Sequence, residues 1–227
     1  MANTIIVAGY GPGISKAVAE KFGSEGFAVA AVARNPDKLA AAVAELTGKG
    51  IRAQAFPADV GDPKAVRDLV KAVRDNLGPV DVLHWNAVAS GGSDLTAPDD
   101  DGLRRLYDVA IVGFAAAVQA ALPDLRANRG AVLVTNGGLA LLDDKVDAVG
   151  VAINAMGLAM INAAKHKAVR LLAQKLRADG VFVGEVMVTK TVKGTAFDTG
   201  TAELDARTVA TKFWELYKGR RDLSLVV

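Results

Sequence analysis

Cysteine is absent from this chain of 227 residues, and histidine occurs only twice, as His84 and His166. The lack of cysteine excludes disulfides, thiolate metal sites and a cysteine nucleophile, and two histidines leave little for a metal centre. We therefore expect no metal. Neither sign of charge dominates, since 27 basic and 25 acidic side chains give a formal net charge of +2. This near balance predicts no nucleic-acid partner.

The beginning of the chain lacks the pattern of a targeting segment. The stretch "MANTIIVAG" has no basic start and reaches glycine after a short apolar run, which predicts a strand rather than a signal peptide. No uncharged run is long enough to cross a bilayer. We expect a cytoplasmic protein without a membrane partner. With 51% hydrophobic and 23% charged side chains, the composition predicts one folded domain over residues 1–227.

Short apolar, β-branched runs alternate with helical patterns along the whole chain. The apolar residues of the runs are mostly continuous, as is typical of strands covered on both faces. Between the runs, apolar residues recur three and four apart, as in "PKAVRDLVKAVRDNLG". The alternation predicts an α/β fold, a Rossmann-type doubly wound parallel sheet in three αβα layers. The predicted strands cover residues 4–8, 28–33, 51–57, 80–85, 131–134, 181–188 and 223–226.

Two predicted helices, over residues 102–125 and about 149–178, are rich in alanine and apolar on most of their circumference. Such helices suit either a buried position in the core or packing against a second subunit. We expect a homodimer or homotetramer, and two ordinary buried helices in a monomer are the alternative.

A glycine-rich stretch, "AGYGPGIS", joins the first predicted strand to the first helix. A turn of this kind lets bare backbone N–H groups and the positive end of a helix approach a pyrophosphate, which a side chain on the loop would hold away. Because the stretch follows a strand and opens a helix, it predicts nucleotide binding, with a purely structural turn as the alternative.

The turn after the second strand reads "ARNPDKL", and its first residues decide which nucleotide is expected. An acidic residue at this point would bind a ribose 2′-hydroxyl, but Arg34 stands there instead. The guanidinium fork of an arginine pairs with a 2′-phosphate, which favours NADP(H) over NAD. A solvated surface arginine is the alternative.

These motifs resemble the short-chain dehydrogenase/reductase family. The family's loop TGxxxGxG is matched at two of its three glycines, and Ser15 stands at the third. "ADV" at 58–60 is similar to the stretch that borders the adenine, and "WNAVA" at 85–89 resembles the family's NNAG. The resemblance covers essentially the whole chain. Loop and resemblance together give the expected cofactor-binding residues as Gly9, Tyr10, Gly11, Pro12, Gly13, Ile14, Arg34, Asn35, Asp59, Val60, Asn86, Ala87, Asn136 and Thr189.

The resemblance implies hydride transfer between a nicotinamide and a carbonyl or alcohol, with a tyrosine as general acid/base. A tyrosine with its ordinary pKa of about 10 is a poor base at neutral pH. Members of the family have a lysine four residues later, which lowers that pKa. None of the three tyrosines here, Tyr10, Tyr107 and Tyr217, has a lysine at that spacing. The resemblance implies two more members of this catalytic tetrad, a serine that polarises the carbonyl and an asparagine that supports a proton relay through water. The serine position reads Gly137 here, and the asparagine position reads Ala110.

Two alignments remain open for the missing tyrosine and lysine. Aligned backwards from "LAQKLRADGVFV", the two positions fall on Leu158 and Asn162; aligned forwards from the fifth strand, they fall on Gly150 and Asn154. Neither alignment supplies an acid/base tyrosine. The residues expected near the site are Tyr107, Asn136, Asn154, Asn162, Lys165 and Lys190.

Two functions therefore stand side by side. The first is an NADP(H)-dependent oxidoreductase that acts on a small carbonyl or alcohol by a non-standard site. The second is a catalytically inactive NADP(H)-binding sensor or regulatory module. For Lys165, a position on the helix surface is the alternative to a role at the site. His166 is expected on a helix surface, whereas His84 is expected to be a packed residue.

Overall fold

A parallel sheet of seven strands forms the centre of the computed structural model, which describes residues 3–91 and 94–227. The order across the sheet is β3-β2-β1-β4-β5-β6-β7, and each neighbouring pair is parallel. The predicted doubly wound sheet is thus confirmed. Its strands are β1 (Thr4–Ala8), β2 (Ala28–Ala33), β3 (Ala53–Pro57), β4 (Val80–Trp85), β5 (Ala131–Gly137), β6 (Phe182–Val188) and β7 (Ser224–Val226).

Helices cover both faces of this sheet, because the strands are apolar on both sides. The apolar side chains of α1, α2 and α8 pack on one face, and those of α3, α5 and α7 pack on the other. The helices are α1 (Ile14–Ser24), α2 (Pro36–Gly48), α3 (Pro63–Leu77), α4 (Asp100–Tyr107), α5 (Gly113–Ala127), α6 (Asp144–Ala152), α7 (Met156–Leu176) and α8 (Ala206–Gly219).

Local sequence signals start several of these helices. The side chains of Asn35, Asp62 and Asp205 accept hydrogen bonds from backbone N–H groups in the first turns of α2, α3 and α8. Such caps satisfy donors that a helix leaves free at its start. In α2 and α3 a proline, which has no N–H to lose, follows the cap.

The long helix predicted near 149–178 is wrong as a single element. The chain forms α6 and α7 with a break between them, where Asn154 adopts a left-handed backbone conformation with φ of 53°. Asparagine tolerates this conformation better than most residues, and a right-handed helix cannot pass through it. The break separates Gly150 from the helix that carries Leu158 and Asn162.

The helix predicted over 102–125 is continuous but not uniform. It consists of α4 and α5 joined by a π-helical turn, Asp108–Val112. By length and composition alone, the stretch 100–127 resembles a membrane span, yet half of its most apolar window is buried inside the protein. That burial is typical of a core helix.

The order of the strands reverses between β1 and β4, where a crevice opens at their carboxyl ends. In doubly wound folds, ligands bind at such a reversal. The loops that follow β1, β2, β3, β4 and β5 all end at this edge of the sheet, and they carry most of the predicted site residues.

Candidate functional site

The loop after β1 approaches the end of β4 so closely that only glycine fits at its first position. A Cβ added to Gly9 would lie 2.5 Å from the Cα of Ala87, and Gly9 has a φ of 80°. Asn86 holds the loop from the same side, since its Nδ2 donates to the carbonyl of Gly9 at 3.3 Å. Asn86 and Ala87 therefore shape the loop from β4.

Helix α1 begins directly after this loop without a side-chain cap. Gly13 is its N-cap residue, with a φ of 89°, and no side chain accepts from the first turn. Its first N–H groups are left for another acceptor, and together with the positive helix end they suit an anion. The predicted phosphate loop at Gly11, Pro12, Gly13 and Ile14 has the required form.

Ser15, at the position of the family's third glycine, is a structural part of the loop. Its side chain is 1% exposed, accepts from the N–H of Gly11 at 2.9 Å and donates to the carbonyl of Gly11 at 3.1 Å. A small side chain is thus accommodated by folding back one turn. The four-residue spacing of Gly11 and Ser15 is the only sequence signal for this contact.

The side chain of Tyr10 points into the apolar layer formed by α1 and α8. Its hydroxyl is buried without a hydrogen-bond partner among the described residues, and burial, with the negative charges of Glu20 and Glu45, raises the pKa of Tyr10 to about 12. The N–H of Tyr10 donates to Val32 at 2.7 Å. Tyr10 can therefore contribute its backbone, but not its ring, to the predicted cofactor site.

Arg34 lies at the carboxyl end of β2, exposed to solvent. Its guanidinium forms no hydrogen bond or ion pair within residues 3–91 and 94–227. The next residue, Asn35, has its side-chain oxygen engaged by the N–H of Lys38 at 2.9 Å, as the cap of α2. Of this predicted pair, Arg34 is the side chain with free donors.

The loop after β3 carries Asp59 and the buried Val60. The carboxylate of Asp59 forms an ion pair with Arg105 of α4 and accepts from the N–H of Gly61 at 2.9 Å. Arg105 was not among the residues expected from sequence. It lies 46 positions from Asp59, and no local pattern reports a contact at that separation.

The helix break bears on the two alignments that remain open for the missing tyrosine and lysine. Leu158 and Asn162 lie four residues apart on α7, so they share one helix face, whereas Gly150 and Asn154 fall on α6 and on the break. The pairing of a tyrosine with a lysine needs a shared face. The backward alignment is therefore the one that the fold supports.

An apolar cluster holds two of the four positions at which the resemblance predicts the tetrad. Ala110 is fully buried in the π-helical turn, and it packs with Leu106 and Ile161; Leu158 and Tyr107 pack against the same group. π-helical turns are frequent at functional sites. In this chain the π-helical turn is present, but the side chains of Ala110 and Leu158 are apolar. Neither side chain can therefore donate or accept a proton.

The other two tetrad positions, Gly137 and Asn162, lie against each other. A Cβ at Gly137 would come within 2.7 Å of the Nδ2 of Asn162. Asn162 is 4% exposed, and its side-chain amide forms no hydrogen bond within the described part of the chain. Its amide atoms are not among the fully enclosed polar atoms of the described residues, so its donors and acceptor are open to a ligand.

Asn136 belongs to a buried polar network behind the site. Its Nδ2 donates to the carbonyl of Asn162 at 3.1 Å and to the carboxylate of Glu185 at 2.9 Å. Its Oδ1 accepts from the N–H of Gly137 at 3.0 Å. Because the whole amide is engaged inside the protein, only the backbone of Asn136 is left for a cofactor.

A position on the helix surface is wrong for both Lys165 and His166. Lys165 is 4% exposed and donates to the carbonyl of Thr135 at 3.1 Å, while burial lowers its pKa to about 8. His166 is partly buried and pairs through Nδ1 with the fully buried Glu185. Both side chains point toward the sheet, where Lys165 reaches Thr135 of β5 and His166 reaches Glu185 of β6.

The packed position of His84 is confirmed. The ring is fully buried, and its Nε2 lies 3.1 Å from the hydroxyl of Thr135. Burial lowers the pKa of His84 to about 3, so the ring is neutral at physiological pH.

The segment that follows β6 folds over the phosphate loop. Val192 and Leu204 form an isolated parallel bridge, and the methyl group of Thr195 would lie 2.7 Å from a Cβ at Gly13. The predicted Thr189 instead donates through its hydroxyl to the carbonyl of Val227 at 2.9 Å. Lys190 is exposed. Thr195 and the carbonyl of Lys193, which would lie 3.6 Å from the same Cβ, thus bring this segment against the loop.

A strand order that reverses beside an uncapped, glycine-rich helix start defines a Rossmann-type protein with a dinucleotide-binding loop. The chain belongs to the short chain dehydrogenase family, which it matches over residues 3–187. Within residues 3–91 and 94–227, no three His, Asp or Glu side chains form a group suited to a metal ion.

Curated relatives match the chain in part. The 2,3-dihydro-2,3-dihydroxybenzoate dehydrogenase of Bacillus subtilis is 40% identical over 77 residues, which are 34% of this chain and 30% of that protein. The 3-dehydrosphinganine reductase TSC10B of Arabidopsis thaliana is 34% identical over 127 residues, 56% of this chain and 37% of that protein. These alignments therefore span less than half of either relative.

Solved structures match over nearly the whole chain. A blue fluorescent protein from a metagenomic library, in complex with NADPH, superposes with a TM-score of 0.83 at 25% identity, over 99% of this chain and 96% of that one. L-Sorbose reductase from Gluconobacter frateurii, complexed with NADPH and L-sorbose, gives a TM-score of 0.83 at 20% identity, over 100% and 95%.

Proposed function

We propose that this chain binds NADP(H), and the observation that carries the proposal is the free guanidinium of Arg34. It stands exposed at the carboxyl end of β2 and has no protein partner among the described residues. A 2′-phosphate needs the paired donors that a guanidinium offers. The solved structures with bound NADPH support the same choice of cofactor.

Other residues of the crevice fit the remaining parts of a dinucleotide. The first turn of α1 after Gly13 would hold the pyrophosphate, and Asp59 with Val60 would border the adenine. The free amide of Asn162 lies at the end of β5, where it would serve the nicotinamide half. When bound, NADP(H) supplies or accepts the hydride in this family.

We infer that the chain is an oxidoreductase acting on a small carbonyl or alcohol without a tyrosine acid. The amide of Asn162 would donate a hydrogen bond to the substrate oxygen, and the crevice would hold the substrate in position. Water would supply the proton that the oxygen takes up on reduction, or accept the proton that an alcohol loses on oxidation. A general acid contributes about 10²- to 10⁴-fold in rate, so turnover without one is expected to be slow.

The apolar cluster favours a second candidate, a catalytically inactive NADP(H)-binding sensor or regulatory module. Leu158 and Ala110 pack in one apolar cluster, and neither has a polar side-chain atom. This arrangement is what we expect of a chain that has kept the fold but lost the family's acid/base chemistry. Cofactor binding is common to both candidates, so only turnover separates them.

The first experiment measures cofactor binding. NADPH and NADH are titrated separately into purified protein while tryptophan fluorescence is followed. Arg34→Ala should weaken NADPH at least about tenfold, equivalent to ~1.4 kcal/mol, and leave NADH nearly unchanged. Lys38→Ala, which removes a neighbouring exposed charge on α2, is the matched control. Equal losses for both nucleotides in Arg34→Ala, or no NADPH binding by the wild type, would contradict the proposal.

The second experiment measures turnover with a panel of aldehydes, ketones and quinones. The oxidoreductase candidate requires NADPH oxidation that Asn162→Leu abolishes while NADPH stays bound. Tight binding without turnover on any of these substrates would favour the inactive module instead.

A homo-oligomer in the cytoplasm completes the proposal. Apolar side chains remain exposed on α6, on α7 and at the break between them, namely Val149, Val151, Ile153 and Leu171. An exposed apolar surface of this kind suits packing against another copy. Light scattering on the purified protein measures the mass directly, and a monomer at micromolar concentration would contradict this part.

A further inference from the structure

Asp59 and Arg105 form a contact between two elements at the adenosine end of the crevice. Asp59 lies in the loop after β3, and Arg105 reaches it from α4. Gly61 leaves the space for this contact, because a Cβ there would overlap Nη1 of the Arg105 guanidinium. The side chains are 44% and 32% exposed, so the pair lies at the surface of the crevice rather than in the core.

Two arginines act on this one carboxylate. The hydrogen bond from Arg105 is the main reason that the pKa of Asp59 lies below its usual range, and the charge of Arg34 lowers it further. The backbone brings Arg34 and Asp59 near each other, because Ala33 pairs with Pro57 and the N–H of Ala58 donates to the carbonyl of Ala33 at 3.0 Å. Arg34 forms no ion pair with Asp59 within the described residues. Arg105 holds the carboxylate, and Arg34 stays free.

We propose that Arg105 is a positioning residue for cofactor selectivity: by pairing with Asp59 it leaves Arg34 available to the 2′-phosphate of NADP(H). This inference rests on the NADP(H) binding proposed above. Arg105 need not touch the cofactor for this role.

The physical reason is the charge left behind when the pair is broken. An unpaired Asp59 carboxylate would attract the guanidinium of Arg34 and repel a phosphate that carries nearly two negative charges. Both effects act against NADPH. NADH lacks the 2′-phosphate, so its affinity should change little. The ratio of the two affinities therefore reports this role, whereas a general loss of structure would lower both.

The test compares four proteins by titration with NADPH and with NADH at low salt. Arg105→Met keeps the length and the apolar stem of the side chain but removes its charge. We expect it to lower the preference for NADPH over NADH by about three- to tenfold, as fits a partly exposed ion pair near a charged ligand. The double variant Arg105→Met/Asp59→Asn should recover the wild-type preference, because it removes the competing carboxylate as well.

Arg104→Ala is the matched control. Arg104 is the neighbouring residue of α4 and pairs with Asp100 and Asp101, away from Asp59. This variant should leave both affinities unchanged. Thermal melting of every variant confirms that it is folded.

The other outcomes each refute one of three statements: the role of Arg105, the release of Arg34 or the proposed function. An unchanged preference in Arg105→Met, or equal losses for both nucleotides, refutes the role of Arg105. If Arg105→Met lowers the preference and the double variant Arg105→Met/Asp59→Asn does not restore it, the release of Arg34 is refuted. That result indicates that Arg105 contacts the phosphate directly. If the wild type binds no NADPH, or if Arg34→Ala leaves the preference unchanged, the proposed function itself fails.

Discussion

Alanine at three different glycines separates the folding role of the phosphate loop from its binding role. Gly9 has a φ of 80° and almost touches the backbone of Ala87, at 2.5 Å from the position of its Cβ. Gly26 has a φ of 92° but open space around it. Gly11 has open space and no left-handed backbone. One substitution thus meets three different local conditions.

The expected losses of stability follow from these conditions. Gly11→Ala should change the free energy of unfolding by less than ~0.5 kcal/mol, because alanine fits the backbone and meets no neighbour. Gly26→Ala should cost about 1–2 kcal/mol, from the left-handed conformation alone. Gly9→Ala should cost about 3 kcal/mol or more, because the backbone of Ala87 cannot move away as a flexible side chain would.

Cofactor binding should rank the same variants differently. If Gly11 lies against a pyrophosphate, a methyl group there holds the phosphates off the loop, and Gly11→Ala should weaken NADPH at least about tenfold, or ~1.4 kcal/mol. Gly26→Ala, far along the chain from the loop, should bind NADPH as the wild type does.

Urea unfolding gives the stabilities and fluorescence titration gives the affinities. Wild-type affinity in Gly11→Ala would refute the phosphate loop as the binding site. Equal stabilities of Gly9→Ala and Gly26→Ala would show that the close approach to Ala87 contributes nothing measurable.

Three further predictions concern the side chains of Lys165 and Tyr10 and the paired positions Leu158 and Asn162. Burial lowers the pKa of Lys165 to about 8, whereas the ordinary lysine pKa is about 10.4. Between these two pH values the unfolded chain binds a proton that the folded chain has released, so the free energy of unfolding should rise with pH. Urea unfolding at pH 7.5 and 9.5 should show a smaller rise in Lys165→Met; an equal rise would contradict the assignment. Tyr10→Phe removes a buried hydroxyl without a partner, so its free energy of unfolding should be unchanged or higher by up to ~1 kcal/mol. A loss beyond ~2 kcal/mol would show that the hydroxyl is paired. Leu158→Tyr/Asn162→Lys places an acid/base pair on one face of α7 and should raise NADPH oxidation by an aldehyde at least about tenfold; no gain in a folded, NADPH-binding variant would count against α7 as the face that meets the substrate.

The sequence alone determined the architecture and the positions of the strands. Continuous β-branched runs and helical periods are local patterns, and they predicted β1, β2 and β4 at the bounds that the structure shows. The glycine loop was equally local, because the positive φ values of Gly9 and Gly13 strongly favour glycine at these two positions. The absence of a tyrosine and lysine four residues apart could also be read directly.

Only the tertiary structure decided what several polar side chains do. Lys165 is a polar residue on a helix, and nothing near it in sequence tells that its ammonium is buried against the carbonyl of Thr135. The pairing of Arg105 with Asp59 and the break at Asn154 were likewise unpredicted. Secondary structure follows from spacing along the chain. Burial, charge pairing and the free amide of Asn162 depend on contacts between residues far apart in sequence, which exist only once the helices pack on the sheet.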